Sequence, residues 1–176
     1  MMASHTAAPR LETPRLHLRL PQEADAAANL AFMQSDRARL MVAPMSEAEA
    51  LADFARVIGM WRQRGFGLFA ICLKGGDRSI GLAGPWMPDD HPEPEIGWNL
   101  WDAGVEGRGF ATEAARAARD WAFRSLGWTT AVSYIHPANT RSIAVAERLG
   151  ARRDTQAEAE FDDPVRVYRH SPEARP

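Results

Sequence analysis

The stretch EGRGFATEA, Glu106 to Ala114, sets two glycines and a threonine directly ahead of an alanine-rich run. A helix starting there exposes unpaired N–H groups and about half a positive charge at its first turn, and glycines before it let a ligand approach those amides. Gly107, Arg108, Gly109, Phe110, Ala111 and Thr112 therefore read as an anion cradle opening a helix over residues 111–125. The same glycines also suit a loop that merely needs unusual backbone angles. The dinucleotide fingerprint fails, because Thr112 stands where a third glycine is needed and the preceding strand does not open a βαβ unit. A Walker loop fails because Gly-Lys-Ser/Thr occurs nowhere in the chain.

Upstream of the cradle, short apolar runs alternate with turns: GFGLFAICL, KGGD, RSIGLAGPW, the proline-rich PDDHPEP, then EIGWNLW. This is the pattern of an antiparallel meander. Earlier still, Leu16, Leu18 and Leu20 alternate with His17 and Arg19 as a first strand after Pro14. A helix is expected over about 22–34, and a second one capped by Ser46 and stopped by Gly65. In the second, Leu51, Phe54, Ile58 and Trp61 are spaced to line one buried face. Downstream come a strand TAVSYI, a helix TRSIAVAERL ended by Gly150, and two last strands around ARRD and VRVY. The order β-α-α-β-β-β-α-β-α-β-β is that of a mixed α/β (α+β) fold, expected as one domain over residues 10–170 with mobile tails at 1–9 and 171–176.

Length and composition agree with one ordinary domain, 176 residues with a net charge of −2. No basic field attracts nucleic acid in general. Cys72 is the only cysteine, which excludes an internal disulfide and a several-cysteine metal site. No apolar run reaches a membrane span, and the N-terminus lacks a secretory apolar core, so a cytoplasmic setting is expected.

Glu106-x-x-Gly109-x-Ala111 resembles the (Gln/Arg)-x-x-Gly-x-(Gly/Ala) loop of the GNAT superfamily of N-acetyltransferases, and ATEA continues as in its RimJ/RimL-type branch. LETPRLHLR, PEIGWNLW and HPANTRSIAVAERLGARR resemble the same branch, in the same order along most of the chain. The resemblance implies a mixed, mostly antiparallel sheet of about seven strands flanked by about four helices. It also implies acetyl-CoA as cosubstrate with its pyrophosphate on the cradle, no metal, and a primary amine acceptor, either a protein N-terminus or a small molecule. One departure is Glu106, where the family has Gln or Arg: a carboxylate repels phosphate unless Arg108 offsets it. That departure motivates the alternative of a non-catalytic acyl-CoA-binding sensor. Exposed strand edges make a homodimer plausible.

Acetyl transfer from a thioester to an amine needs a neutral amine, a donor to the oxyanion and a proton for the leaving thiolate. By resemblance, a backbone N–H near Trp98 or Asn99 donates to the thioester carbonyl. Glu95, at the start of EIGWNL, is the first candidate base, with Glu93 and His91 in the same loop as substitutes. A solvated strand-edge carboxylate explains Glu95 equally well. The branch's N-x-x-S pattern makes Asn139 a ligand of the pantetheine arm and Ser142 the candidate acid, although Asn139 also suits a plain helix N-cap. Tyr168 is a second candidate acid, on a late strand where packing also explains it. Cys72 reads as core. Trp86, Trp98 and Trp101 cluster where they would wall an acceptor groove.

Overall fold

The computed structural model describes residues 9–172. The tails expected at 1–9 and 171–176 lie largely outside the described residues. Thirteen regular elements follow in chain order. They are β1 (Leu11–Glu12), β2 (Leu16–Arg19), α1 (Ala26–Met33), α2 (Glu47–Arg64), β3 (Phe69–Leu73), β4 (Ser79–Trp86), β5 (Glu95–Leu100), α3 (Phe110–Ser125), β6 (Ala131–Ile135), α4 (Thr140–Arg148), β7 (Arg152–Arg153), α5 (Thr155–Glu158) and β8 (Arg166–His170). All strands join one sheet in the order β1-β2-β3-β4-β5-β6-β8-β7. Every neighbouring pair is antiparallel except β5 and β6.

Two elements beyond the expected set, β1 and α5, are too short to leave a periodic pattern. The β1–β2 corner is held by Thr13, whose backbone N–H donates to the Leu16 carbonyl and whose hydroxyl accepts from the Leu16 N–H. The single turn of α5 is capped by Asp154, which accepts from the Ala157 N–H at 3.0 Å.

Helix α2 starts and stops where its sequence says. Ser46 accepts from the Glu49 N–H while Glu49 accepts from the Ser46 N–H, and Gly65 closes the helix in the left-handed region at φ +71°. Its buried face differs by a small rotation from the expected one: Ala50, Phe54, Val57 and Met60 are buried, while Leu51 is 40 % exposed. Small Ala50 permits close contact with the neighbouring layer. Trp61 sits half-buried at the edge, its ring 4.8 Å from Phe69 and its indole N–H bonded to the Leu68 carbonyl. Side-chain size pointed to the wrong phase; the period itself was correct.

Helix α3 packs across β4 and β5 through Ala114, Ala115, Ala118 and Ala122, all fully buried. Four alanines on one face let the helix lie close to the sheet, which places its N-terminus beside the far end of β5. From the middle of α3, Arg119 and Arg116 donate to the Leu149 and Arg148 carbonyls, so α3 neutralises the negative end of α4.

The feature that shapes the site is the parallel pair. Strands β5 and β6 register only at Glu95 and Val132, where the Val132 N–H donates to the Pro94 carbonyl at 2.8 Å. One step on, the Ser133 hydroxyl donates to the Ile96 carbonyl at 2.6 Å in place of a ladder bond. With its only proton so used, the hydroxyl accepts from His170 Nε2 at 2.9 Å. That leaves His170 Nδ1 bare and buried without a partner among the described residues. Burial first, and then the Arg119 charge, push the His170 pKa down to about 3. Past this point β6 leaves β5, and a cleft opens between them.

Candidate active site

The Pro94 and Ile96 carbonyls face β6, so strand alternation turns the Trp98 N–H to the same side, at the level where β6 has departed. Opposite, β5 stays bound to β4 with a local distortion. The Leu82 N–H donates to the Asn99 side-chain oxygen at 3.1 Å, which draws the Asn99 backbone onto Gly81. A Cβ at Gly81 would lie 2.1 Å from the Asn99 carbonyl oxygen, a space only glycine can leave open.

Beside the cleft, Gly107 and Gly109 take left-handed angles, φ +72° and +81°. Gly109 occupies the N-cap of α3 without a side chain to bond the first-turn N–H groups, which therefore face the groove bare. The chain's beginning holds this loop in place. Glu113 accepts from the Thr13 hydroxyl at 2.7 Å, from the Arg15 backbone N–H at 2.9 Å and from Arg15 Nε at 2.7 Å. Arg15 also donates to the Arg108 carbonyl at 2.8 Å and lies 4.5 Å over the Phe110 ring. Burial opposes ionisation of Glu113, but these bonds outweigh it and hold its pKa below the usual range.

Glu106 does not face the groove as a bare charge. Arg37, just after α1, pairs with it through Nε and Nη2 and also donates to the Leu100 and Trp101 carbonyls. Arg141, in the first turn of α4, takes the other carboxylate oxygen. These two arginines offset the carboxylate, whereas Arg108 stacks on Phe110 at 5.1 Å. Arg37→Gln is expected to weaken binding of the acetyl-CoA that the sequence resemblance implies, about tenfold at low salt, by leaving Glu106 with one exposed partner. Glu106→Gln in the same chain should restore most of it. Calorimetric titration of the two variants checks this, and equal affinity in wild type and Arg37→Gln would dismiss the electrostatic role.

Two cavities meet at the cleft. A groove of about 1350 Å³ runs from Phe110–Glu113 along α4 to Arg148, and includes Asn139, Ser142, Trp98 and Asn99. A second cavity of about 610 Å³ is lined by Glu95, His91, Tyr134, Trp86 and Met33. Both are lined by Trp98, Asn99, Asn139 and Ser142, with Leu40 and Met41 above them. Asn139 caps α4, its side-chain oxygen accepting from the Ser142 N–H at 3.2 Å. The cap uses only the oxygen, so Asn139 can serve both of its expected roles. The Ser142 hydroxyl carries no hydrogen bond among the described residues.

On the second cavity's wall, Glu95 bonds His91 Nε2 at 2.9 Å, a contact that raises the His91 pKa. The Tyr134 ring stands 5.9 Å from His91, its hydroxyl pushed up to about 12 by burial and by Glu93 and Glu95. Glu93 is bound in a two-pronged pair with Arg169, at 2.7 and 2.9 Å, which holds its pKa low and takes it out of the cavity wall. Tyr168 is buried against Ile135, Ala146 and Ala151, with its hydroxyl 3.4 Å from Glu147, and lines neither cavity. Of the three meander tryptophans, Trp86 and Trp98 line a cavity; Trp101 belongs to the core, its ring 6.2 Å from Phe54. Cys72 is core as expected, facing His17 across β2 and β3. His17, Cys72 and Asp77 gather within 4.8 Å, but Arg19 already bonds Asp77, and burial keeps the thiol protonated.

Three contributors had no sequence signal as site residues: Arg37, Tyr134 and the Thr13–Arg15 clamp. LETPRL is a motif whose purpose emerges only when Glu113 is seen between Thr13 and Arg15.

A sheet opened by one diverging parallel pair, with a bare helix N-terminus at its mouth, is the architecture of an acyl-CoA N-acyltransferase. Residues 15–152 match the family model described as the Acetyltransferase (GNAT) domain, and the chain belongs to this family. The acetyltransferase structure from Agrobacterium tumefaciens is similar at a TM-score of 0.86 and 38 % identity, covering 97 % of this chain and 98 % of that one. The uncharacterized N-acetyltransferase p20 of Bacillus licheniformis is 29 % identical over 119 residues, and the match spans 64 % of each chain. RimL, a ribosomal-protein alpha-N-acetyltransferase solved with coenzyme A, shares the fold at a TM-score of 0.73 and 19 % identity, covering 95 % of this chain and all of that one. No helix among the described residues is long and apolar enough to cross a membrane.

Proposed function

We propose that the protein transfers the acetyl group of acetyl-CoA directly to a primary amine, on a small molecule or a protein N-terminus. The observation that carries this is the junction of the two cavities at Trp98, Asn99, Asn139 and Ser142. A cosubstrate laid along the larger groove, with its pyrophosphate on the first turn of α3, brings its thioester to that junction. An amine entering from the smaller cavity passes Glu95 on the way. The coenzyme A held by the RimL neighbour, on the same fold, supports the choice of donor.

In this scheme the Trp98 N–H donates to the thioester carbonyl oxygen and strengthens its bond as negative charge grows there. Glu95 takes the amine's proton, directly or through water, and His91 steadies the carboxylate by sharing a hydrogen bond with it. The Ser142 hydroxyl passes a proton to the departing thiolate as it takes one from water, and Glu95 then gives up the amine's proton to solvent, so both groups end as they began. Because two substrates bind in separate arms, no covalent bond to the protein is needed.

The test is calorimetric titration with acetyl-CoA followed by thiol release across an amine panel. Micromolar binding and amine-dependent release are expected, with Ser142→Ala lowering kcat by about 10- to 100-fold. Tight binding with no release from any amine would make the chain a binding module instead. Since Arg37 and Arg141 already offset Glu106, the charge that motivated that alternative no longer speaks for it.

A further inference from the structure

We infer that Arg169 is a positioning residue for the transfer: by holding Glu93 it sets the loop over residues 87–94 so that His91 reaches Glu95 on the cavity wall. The inference rests on the acetyltransferase proposal above, in which Glu95 takes the amine's proton.

Among the described residues, His91 is the only side chain that bonds Glu95, through Nε2 at 2.9 Å. The Glu95 backbone is fixed, since it opens β5 and pairs with Trp86 of β4. Its carboxylate is held only by what the loop brings to it. The other groups facing His91 are Asp90, 3.7 Å from Nδ1, and the Tyr134 ring.

The loop is stiff where this matters. Pro92 and Pro94 have φ locked by their rings, and a residue before proline is kept out of the helical region, which restricts His91 and Glu93 as well. With four successive residues so limited, a grip on Glu93 also places His91, two positions away. Arg169 supplies that grip from β8. Its Nη1 and Nη2 take the two Glu93 oxygens at 2.7 and 2.9 Å, while Nε bonds Asp154 at 2.7 Å and Nη1 also bonds Thr130 at 3.1 Å. A planar guanidinium held by three residues presents its fork in one orientation. Arg169 itself lines neither cavity, so its influence on the reaction passes through Glu93.

The experiment follows the His91 pKa by NMR in wild type and Arg169→Gln, with no cosubstrate present. Two effects have opposite signs. Removing a positive charge and freeing Glu93 favours the protonated imidazole, so a loop that stays in place gives a higher His91 pKa. Loss of the Glu95 hydrogen bond, the largest cause of its present elevation, gives a lower one. A fall toward the ordinary histidine value is expected; a rise or no change overturns the inference. In turnover, kcat for alkyl amines should drop about tenfold with KM for acetyl-CoA unchanged, while an aromatic amine, which needs no base, is nearly unaffected. Glu93→Ala leaves the bonds of Arg169 to Asp154 and Thr130 in place. It should show the same kcat loss, and joining it to Arg169→Gln should add little. If Arg169→Gln does not fold, an undiminished kcat in Glu93→Ala overturns the inference. Wild type that turns over no amine overturns the acetyltransferase proposal, and the NMR result still decides whether Arg169 places His91 against Glu95.

Discussion

Gly81→Ala is expected to lower the melting temperature by about 10 °C, which corresponds to roughly 3 kcal/mol for a chain of this size. The added methyl carbon would stand 2.1 Å from the Asn99 carbonyl oxygen, and that oxygen belongs to the backbone of a central strand. A side chain could swing away; the backbone of a strand paired along its whole length with β4 cannot do so without breaking that ladder. Gly76→Ala is the control, because a Cβ there meets nothing within 4 Å and the change should be close to neutral. Thermal unfolding of both variants checks the claim, and equal melting temperatures would show that β5 yields easily. Activity should fall further than stability alone explains. Moving Asn99 also moves the adjoining Trp98 N–H, and a misplacement of about 1 Å in such a donor can cost around a hundredfold in rate.

Glu95→Gln is expected to reduce kcat by about 100-fold or more for alkyl amines, because these are protonated at neutral pH and need a base before they can attack. Glutamine keeps the shape and can still bond His91, but cannot carry the proton away. An aromatic amine, neutral at pH 7 without help, should lose far less. The contrast between the two amine types is the measurement: a uniform loss would point to damaged binding instead of lost proton transfer. His91 adds a second readout. Its pKa is raised first by the hydrogen bond to Glu95 and further by that carboxylate's charge, so Glu95→Gln should let it fall back toward the ordinary histidine value. Titration followed by NMR would detect the shift.

The glycine bend ahead of α3 and the order of elements could be read from residues because each depends on local chemistry. Gly107 and Gly109 need left-handed angles, Ser46 and Asn139 cap helices, and Gly65 and Gly150 end them. The face of α2 was misjudged because the neighbouring layer accepts a small residue, Ala50, at its closest point, and nothing in the helix itself announces that. The same limit applies to Arg37. It reaches Glu106 across 69 positions, and an arginine after a helix looks like any other surface charge until the two elements meet. Glu93 and Glu95 illustrate the point within three residues. In sequence they are interchangeable carboxylates, yet Arg169 claims one and leaves the other on the cavity wall.

The clamp on Glu113 also bears on when the molecule becomes competent during its own folding. Thr13 and Arg15 reach Glu113 over 100 and 98 positions, so the first-turn amides of α3 take their final setting only after the opening strand has found the third helix. Contacts of such span form late, since the intervening chain must first lose its freedom. Under the proposed function, acetyl-CoA would therefore meet a site that is complete only in the native state. Bound to the native state alone, it would slow unfolding of an already finished protein, tying the lifetime of the first strand to the supply of cosubstrate.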